Sequence, residues 1–169
     1  MSLRFEKMES QHGREVMAIF NDYIENSFAA YPETRLPEAF YGRFLEMTKD
    51  YPAFAIKDVD SARTVGFCFL RAYNPLPVFR ETALVSYFLE KEAVGKGIGQ
   101  EALRKLEEEA KAAGIGRLLA EIAAPNEPSL KFHRKNGFRE CGRFSKAGKK
   151  HGRYFDVIWM EKELGQKRD

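Results

Sequence analysis

The sequence predicts a single α/β domain over residues 1–169, built on a mixed β-sheet. Three observations carry this reading. Ala83-Leu-Val-Ser-Tyr-Phe-Leu89 is an apolar, aromatic and β-branched run of strand length, and it leads through Val94-Gly-Lys-Gly-Ile-Gly99 into a long amphipathic segment. Two shorter runs, residues 53–57 and 64–70, flank the polar Asp58-Val-Asp-Ser-Ala-Arg63 as the arms of a hairpin. Helix-period segments lie before and after these strands.

Taken in order, residues 3–8 read as a short edge strand. Residues 10–26 read as a helix, with Val16, Ile19, Phe20, Tyr23 and Ile24 on one face. Residues 27–36 form a loop carrying two aromatic residues. Pro37 suits the first turn of a second helix that runs to about residue 49, and Tyr51-Pro52 ends it. Asn74-Pro-Leu-Pro77 breaks the chain before the central strand. In the helix of residues 100–113, Ala102, Leu103, Leu106 and Ala110 form one apolar stripe. Glu101/Lys105 and Glu107/Lys111 are spaced to pair on its wet side. Gly114-Ile-Gly116 closes that helix, and residues 117–123 form the next strand. Pro125-Asn-Glu-Pro-Ser129 opens a short helix to Asn136, stopped by Gly137. Residues 138–145 and 154–164 read as a last antiparallel pair across a basic loop, residues 146–153.

Composition narrows the function. With 44% hydrophobic and 31% charged residues the chain reads as globular and soluble, and a net charge of +3 is too small to argue for nucleic acid. No apolar run reaches membrane-spanning length and the N-terminus lacks a signal-peptide pattern, so membranes are not expected as partners and a cytoplasmic location is. Cys68 and Cys141 lie in strand-like settings and are expected as buried free thiols. His12, His133 and His151 have no partner at ligand spacing, so no metal site is expected.

The glycine loop carries the chemistry. Its three alternating glycines remove side chains where backbone N–H groups point outward. Those donors, with the positive end of the helix dipole, make an anion site suited to a phosphorylated ligand. A P-loop needs Lys-Ser/Thr after its last glycine, whereas Gly99 is followed by Gln100-Glu101. A dinucleotide fingerprint counted from Gly95 and Gly97 needs a glycine where Gln100 stands, and no opening βαβ unit precedes the loop.

A third reading comes from resemblance. Val94-Gly-Lys-Gly-Ile-Gly99 resembles the acyl-CoA pyrophosphate loop of the GNAT superfamily of N-acetyltransferases, R/Q-x-x-G-x-G/A. Asn126-Glu-Pro-Ser129 followed by Phe132-His-Arg-Lys-Asn-Gly-Phe138 is similar to its second signature, a helix closing on Gly-Phe. Phe20-Asn-Asp-Tyr-Ile-Glu-Asn-Ser27, Lys149-Lys-His-Gly-Arg153 and Phe155-Asp-Val-Ile-Trp159 resemble the branch containing phosphinothricin and methionine-sulfone acetyltransferases. The resemblance implies a GNAT fold: a mixed sheet of about seven strands flanked by about four helices, splayed between the central strand and its successor. It implies acetyl transfer from acetyl-CoA to the primary amine of a small molecule by direct attack on the thioester. Related enzymes are often dimers, so a homodimer is expected by analogy. Acetylation of protein N-termini or lysines, and CoA binding without turnover, are the alternatives.

Roles follow residue by residue. The backbone of Tyr87, Phe88 and Leu89 is expected to meet the pantetheine arm and thioester oxygen. Val94, Gly95, Lys96, Gly97, Ile98 and Gly99 are expected at the pyrophosphate. Val94 replaces the family's Arg or Gln there, which implies weaker CoA affinity. Asn126 and Ser129 are expected beside the pantetheine, with a turn or cap as the other role for Asn126. Lys135 is either a phosphate ligand or a solvated lysine. His133 stands where the family often has a tyrosine near the CoA sulfur, and reads as either a proton donor to the leaving thiolate or a structural histidine.

Two departures concern the acceptor. Leu84 stands where the phosphinothricin-type enzymes carry a glutamate base. Thr82 or Ser86 relays the proton through water, Glu121 on the neighbouring strand substitutes, or the amine arrives deprotonated. Leu76 stands where those enzymes carry an anion-binding arginine, with Arg71 or Arg80 nearby as compensation. Phe28, Tyr31, Tyr73 and Phe79 are expected to line a more apolar pocket, which argues against phosphinothricin itself.

Overall fold

The computed structural model describes residues 2–165. Seven strands, β1 (Leu3–Lys7), β2 (Ala53–Asp58), β3 (Thr64–Ala72), β4 (Thr82–Leu89), β5 (Arg117–Ala123), β6 (Arg139–Lys150) and β7 (Arg153–Glu163), form one sheet in the order β1-β2-β3-β4-β5-β7-β6. Four α-helices flank it: α1 (Gly13–Asn26), α2 (Tyr41–Met47), α3 (Ile98–Ala112) and α4 (Glu127–Lys135). Every neighbouring pair is antiparallel except β4 and β5, which run parallel with α3 between them in sequence. The mixed sheet with four helices is the predicted architecture.

Strand alternation divides the core in two. Cys68 and Leu70 on β3, Val85 on β4, and Leu118, Ala120 and Ile122 on β5 pack against Ala102, Leu103, Leu106 and Ala110 of α3 and Leu130 of α4. The opposite residues of β3, Phe67 and Phe69, pack with Phe20 of α1 and Phe44 of α2. Phe67 stacks on Phe88 at 5.2 Å and Phe20 meets Phe44 edge-on at 5.1 Å. Burying side chains of this size contributes roughly 1.5–3 kcal/mol each.

The sheet opens in the middle. Only Thr82–Leu84 of β4 pair with Arg117–Leu119 of β5. Beyond Leu84 the two parallel strands diverge, so the edge of β4 that faces β5 has no strand partner. This is the expected splay.

Several local expectations change. The second helix opens with a 3₁₀ turn, Glu38–Phe40, and stops at Met47, where the Thr48 hydroxyl turns back onto the Phe44 carbonyl at 2.7 Å. On α3 the paired charges are Arg104–Glu108 and Lys105–Glu109, while Glu107 reaches across to Lys162 of β7. Residues 146–153 are not a loop: β6 runs to Lys150 and returns at His151-Gly152, whose φ values of 48° and 76° make a tight two-residue turn. Cys68 is buried but Cys141 is exposed, because β6 is the edge strand of the sheet and most of its residues face solvent.

Candidate active site

Two concavities meet on the open side of the sheet. One is a narrow cleft of about 90 Å³ where β4 and β5 part, lined by Ser86, Tyr87, Glu121, Asn126, Ser129 and His133, among others. The second is an aromatic cavity of about 390 Å³ between β5 and the β6–β7 hairpin, lined by Tyr31, Glu121, Phe144, Phe155, Val157 and Trp159, together with Ala147 and residues 148–150. Tyr31 and Glu121 line both.

The glycine loop lies at the start of α3. Gly95 and Gly97 have φ values of 80° and 82°, a left-handed backbone that excludes most L side chains, and Gly97 is the N-cap residue of α3. An added Cβ at either would meet nothing within 4 Å, so conformation, not space, requires glycine there. Gly95, Lys96 and Gly97 are exposed. Their amides donate to no protein acceptor among the described residues. Ile98 is buried under α3 and anchors the loop, while Val94 is 56% exposed. Gly99 lets the helix approach Phe132, whose ring an added Cβ would meet at 3.4 Å. The amides and the helix dipole together fit a diphosphate.

On β4, Tyr87 and Phe88 reach the cleft, whereas Leu89 is already engaged: the Tyr23 hydroxyl donates to its carbonyl at 2.8 Å and accepts from its amide at 3.4 Å. Asn126 caps α4, its Oδ1 accepting the Ser129 amide at 3.3 Å, and its Nδ2 stays available at the cleft wall. Lys135 is exposed at the far end of α4 and lines neither concavity.

His133 is 3% exposed and both ring nitrogens are engaged. Nδ1 donates to the Ser129 carbonyl at 2.7 Å, the i−4 acceptor on α4, which leaves Nε2 as acceptor for the Tyr87 hydroxyl. Burial pushes the imidazole pKa down to about 4, against the raising effect of the Ser129 carbonyl. The ring is therefore neutral near pH 7. Burial, with Glu107 and Cys68 nearby, lifts the Tyr87 phenol well above its ordinary range. The movable proton of this pair lies on the Tyr87 oxygen.

The other sheet face carries the second group of candidate residues. Leu84 is paired with Arg71 of β3 and with Leu119 of β5, and strand alternation puts Ser86 and Glu121 on that same face. Leu84 is 4% exposed and has no proton to exchange. Glu121 is half-buried, cross-strand from Trp159, and charges the junction of the two concavities. Tyr31 covers it: partial burial and the Glu121 carboxylate raise the Tyr31 phenol pKa, and the Arg71 guanidinium opposes them.

Of the four aromatic residues expected at a substrate pocket, the structure brings two together. Tyr31 packs on Phe155 at 5.8 Å, and Phe28 packs behind Phe155 at 5.3 Å with Arg153 over its outer face. Tyr73 and Phe79 instead pair with each other at 5.7 Å, remain largely exposed and line neither concavity, because the turn of residues 77–79 holds them out beyond β4. Phe155, Trp159 and Gly148 are pocket residues that sequence reasoning did not single out as such. Gly148 is opposite Phe155, and the Phe155 ring lies over it, where an added Cβ would overlap the ring. The period-2 spacing of Phe155, Val157 and Trp159 was the available signal. Among the described residues no cluster of three or more His, Cys, Asp or Glu could hold a metal ion.

A family model for the acetyltransferase (GNAT) family matches residues 16–138. An L-methionine sulfoximine/L-methionine sulfone acetyltransferase of Pseudomonas aeruginosa is 29% identical over 155 residues, covering 90% of each chain. A phosphinothricin N-acetyltransferase of Streptomyces coelicolor is 29% identical over 149 residues, covering 86% of this chain and 87% of its own. Among solved structures, a GNAT superfamily phosphinothricin acetyltransferase from Sinorhizobium meliloti in complex with AcCoA superposes with a TM-score of 0.90, at 29% identity, over 98% of this chain and 90% of that one. With the glycine loop at the head of α3, the parted β4 and β5 and this match over most of its length, the chain belongs to the GNAT family and is an N-acetyltransferase.

Proposed function

We propose that the protein transfers an acetyl group from acetyl-CoA to the primary amine of a small, amino-acid-like molecule, with Glu121 as the base. The observation that carries this reading is the position of Glu121 at the junction between cleft and aromatic cavity. A thioester lying in the cleft and an acceptor lying in the cavity would meet there. The exposed amides of Gly95, Lys96 and Gly97 and the first turn of α3 suit the pyrophosphate. The unpaired edge of β4 beyond Leu84 suits the pantetheine amides and the thioester oxygen, and Asn126 Nδ2 adds a donor. Bound there, acetyl-CoA supplies the activated acetyl group.

Three residues then handle protons. Glu121 accepts the proton that the acceptor's ammonium must lose before its nitrogen can attack. Ser86, on the same sheet face one strand away, can pass that proton through a water. Tyr87 lines the cleft with its hydroxyl donating to the neutral His133, and turned away from that acceptor the same proton can pass to the departing thiolate. His133 thereby acts by orienting Tyr87.

Glu121→Gln tests the reading. A positioned general base contributes ~10²–10⁴-fold, so the kcat for acetylation, followed by thiol release, falls at least 100-fold and recovers partly as pH rises and free amine becomes abundant. An unchanged kcat near pH 7 would mean that the amine arrives already deprotonated.

A further inference from the structure

We propose that Tyr23 is a positioning residue for the acyl donor. Its hydroxyl holds the backbone pair of Leu89 that the pantetheine arm needs, and donor binding exchanges that hydroxyl for groups of the arm. This rests on the donor placement given above and adds the side chain that competes with it.

The backbone places the Leu89 pair on the open edge of β4. The next amide, that of Glu90, donates to the Val65 carbonyl of β3 at 2.8 Å. Successive residues of a strand turn their N–H and C=O to opposite edges, so those of Leu89 point to the side from which β5 has parted. An arm running from the glycine loop to the cleft passes this point. The Leu89 side chain packs beside Gly99, whose added Cβ would lie 3.9 Å from it, and Tyr87, two residues before, lines the cleft. An extended chain lying along such an edge pairs with it as a strand would. Tyr23 takes that part with a single oxygen, donating to the Leu89 carbonyl at 2.8 Å and accepting its amide at 3.4 Å.

The phenol is placed both to hold this position and to yield it. Its ring comes from α1 and meets Phe88 edge-on at 5.1 Å, while Phe88 stacks on Phe67. Burial raises the Tyr23 pKa against the lowering effect of the Leu89 backbone, so the proton stays on the oxygen that donates. The Tyr23 carbonyl accepts both the amide and the hydroxyl of Ser27, at 3.1 and 2.9 Å, which fixes the end of α1. The side chain alone has to turn. One oxygen serving two groups leaves the amide bond long. A donor arm carries its N–H and C=O on separate atoms and meets the pair without that compromise. Binding to the wild-type protein nevertheless breaks two protein hydrogen bonds before the arm makes its own.

Tyr23→Phe removes the hydroxyl and keeps the ring on Phe88. Calorimetry with CoA is expected to show binding about three- to tenfold tighter in the variant, because its Leu89 pair has no protein partner to give up. ADP, which carries a diphosphate but no pantetheine arm, binds both proteins equally. Without CoA the variant melts below wild type, and saturating CoA closes the gap. A hydroxyl with a purely structural role would lower CoA affinity when removed. CoA binding that is unchanged or weaker in the variant, or an equal gain with ADP, therefore overturns the proposal. If CoA binds more tightly to the variant but neither protein releases thiol from acetyl-CoA with any amine, the role of Tyr23 stands and the transfer reaction fails. If both proteins release thiol with the same CoA affinity, the transfer reaction stands and the role of Tyr23 falls.

Discussion

Lys150 is 2% exposed, and its ammonium donates to the carbonyls of Ile24, Ser27 and Ala30 at 2.7 Å each. Ile24 is in the last turn of α1 and Ser27 is its C-cap, so the cation also occupies the negative end of that helix. Three donors meet three acceptors, and the β6–β7 hairpin is thereby tied to the loop that carries Tyr31. A second tie is the His151 amide donating to Glu33 Oε1 at 2.6 Å. Lys150→Met keeps the aliphatic stem and removes the charge. Hydrogen bonds to a charged group contribute about 1.5–3 kcal/mol each, so three give roughly 6 kcal/mol. Burying an ammonium costs several kcal/mol, which the variant recovers, while three carbonyls lose their partner. The expected net loss is about 3 kcal/mol, or roughly 6–12 °C in Tm for a domain of this size. Thermal melts followed by far-UV circular dichroism measure it. The same variant raises KM for the acceptor while CoA affinity holds, because the glycine loop lies at α3, away from the hairpin. A guanidinium cannot aim three protons at convergent carbonyls, so Lys150→Arg does not restore the melt. A Tm within 2 °C of wild type, or full rescue by arginine, would refute the reasoning.

Two further outcomes test the cleft. His133 titrates at about 4 in the folded protein against 6.5 when unfolded, so the unfolded chain binds the extra proton and stability falls as pH drops from 6.5 toward 4. The loss, roughly 3 kcal/mol in all, is measured as the difference between wild type and His133→Gln in urea unfolding at pH 7 and pH 4.5; parallel pH profiles would disprove it. At the glycine loop, Gly97→Ala places a methyl group in open space but a non-glycine residue at a φ of 82°, which costs about 1–2 kcal/mol. The chain escapes that strain by shifting the loop, so CoA affinity by calorimetry drops roughly tenfold, and an unaltered affinity would remove the loop from the site.

The cleft was readable in the sequence and the aromatic cavity was not, for a physical reason. The glycine loop, its strand and its helix are contiguous, so their spacing alone implies an anion site with outward amides. The cavity is assembled from the loop of residues 27–36, β5 and the β6–β7 hairpin, which no local pattern joins. The hairpin also disguises itself. Its run of lysine and glycine has loop composition, yet the positive φ values at His151 and Gly152 fold it tightly, and one of its lysines is buried. Register shifts between Phe144 and Gly148 break the period-2 pattern, so the face of Gly148 could not be counted from either end. Tyr73 and Phe79 illustrate the converse: aromatic residues near the right strand that partner each other on the surface.

Leu84 shows why position along the chain and position on the sheet must be weighed separately. The resemblance expects a carboxylate at that place on the central strand, and along the chain a leucine there reads as a missing base. On the sheet the same face continues through Leu119 to Glu121 one strand over, where a carboxylate stands at the junction of cleft and cavity. The arginine expected in the loop before β4 is replaced by Leu76, which is exposed, while Arg71 of β3 shares a sheet face with Leu84. Residue 84 and Glu121 share that face, one strand and two residues apart, so a carboxylate at either place would address the same side of the sheet. The double substitution Glu121→Leu with Leu84→Glu states this as a test: it should recover activity that Glu121→Leu alone loses.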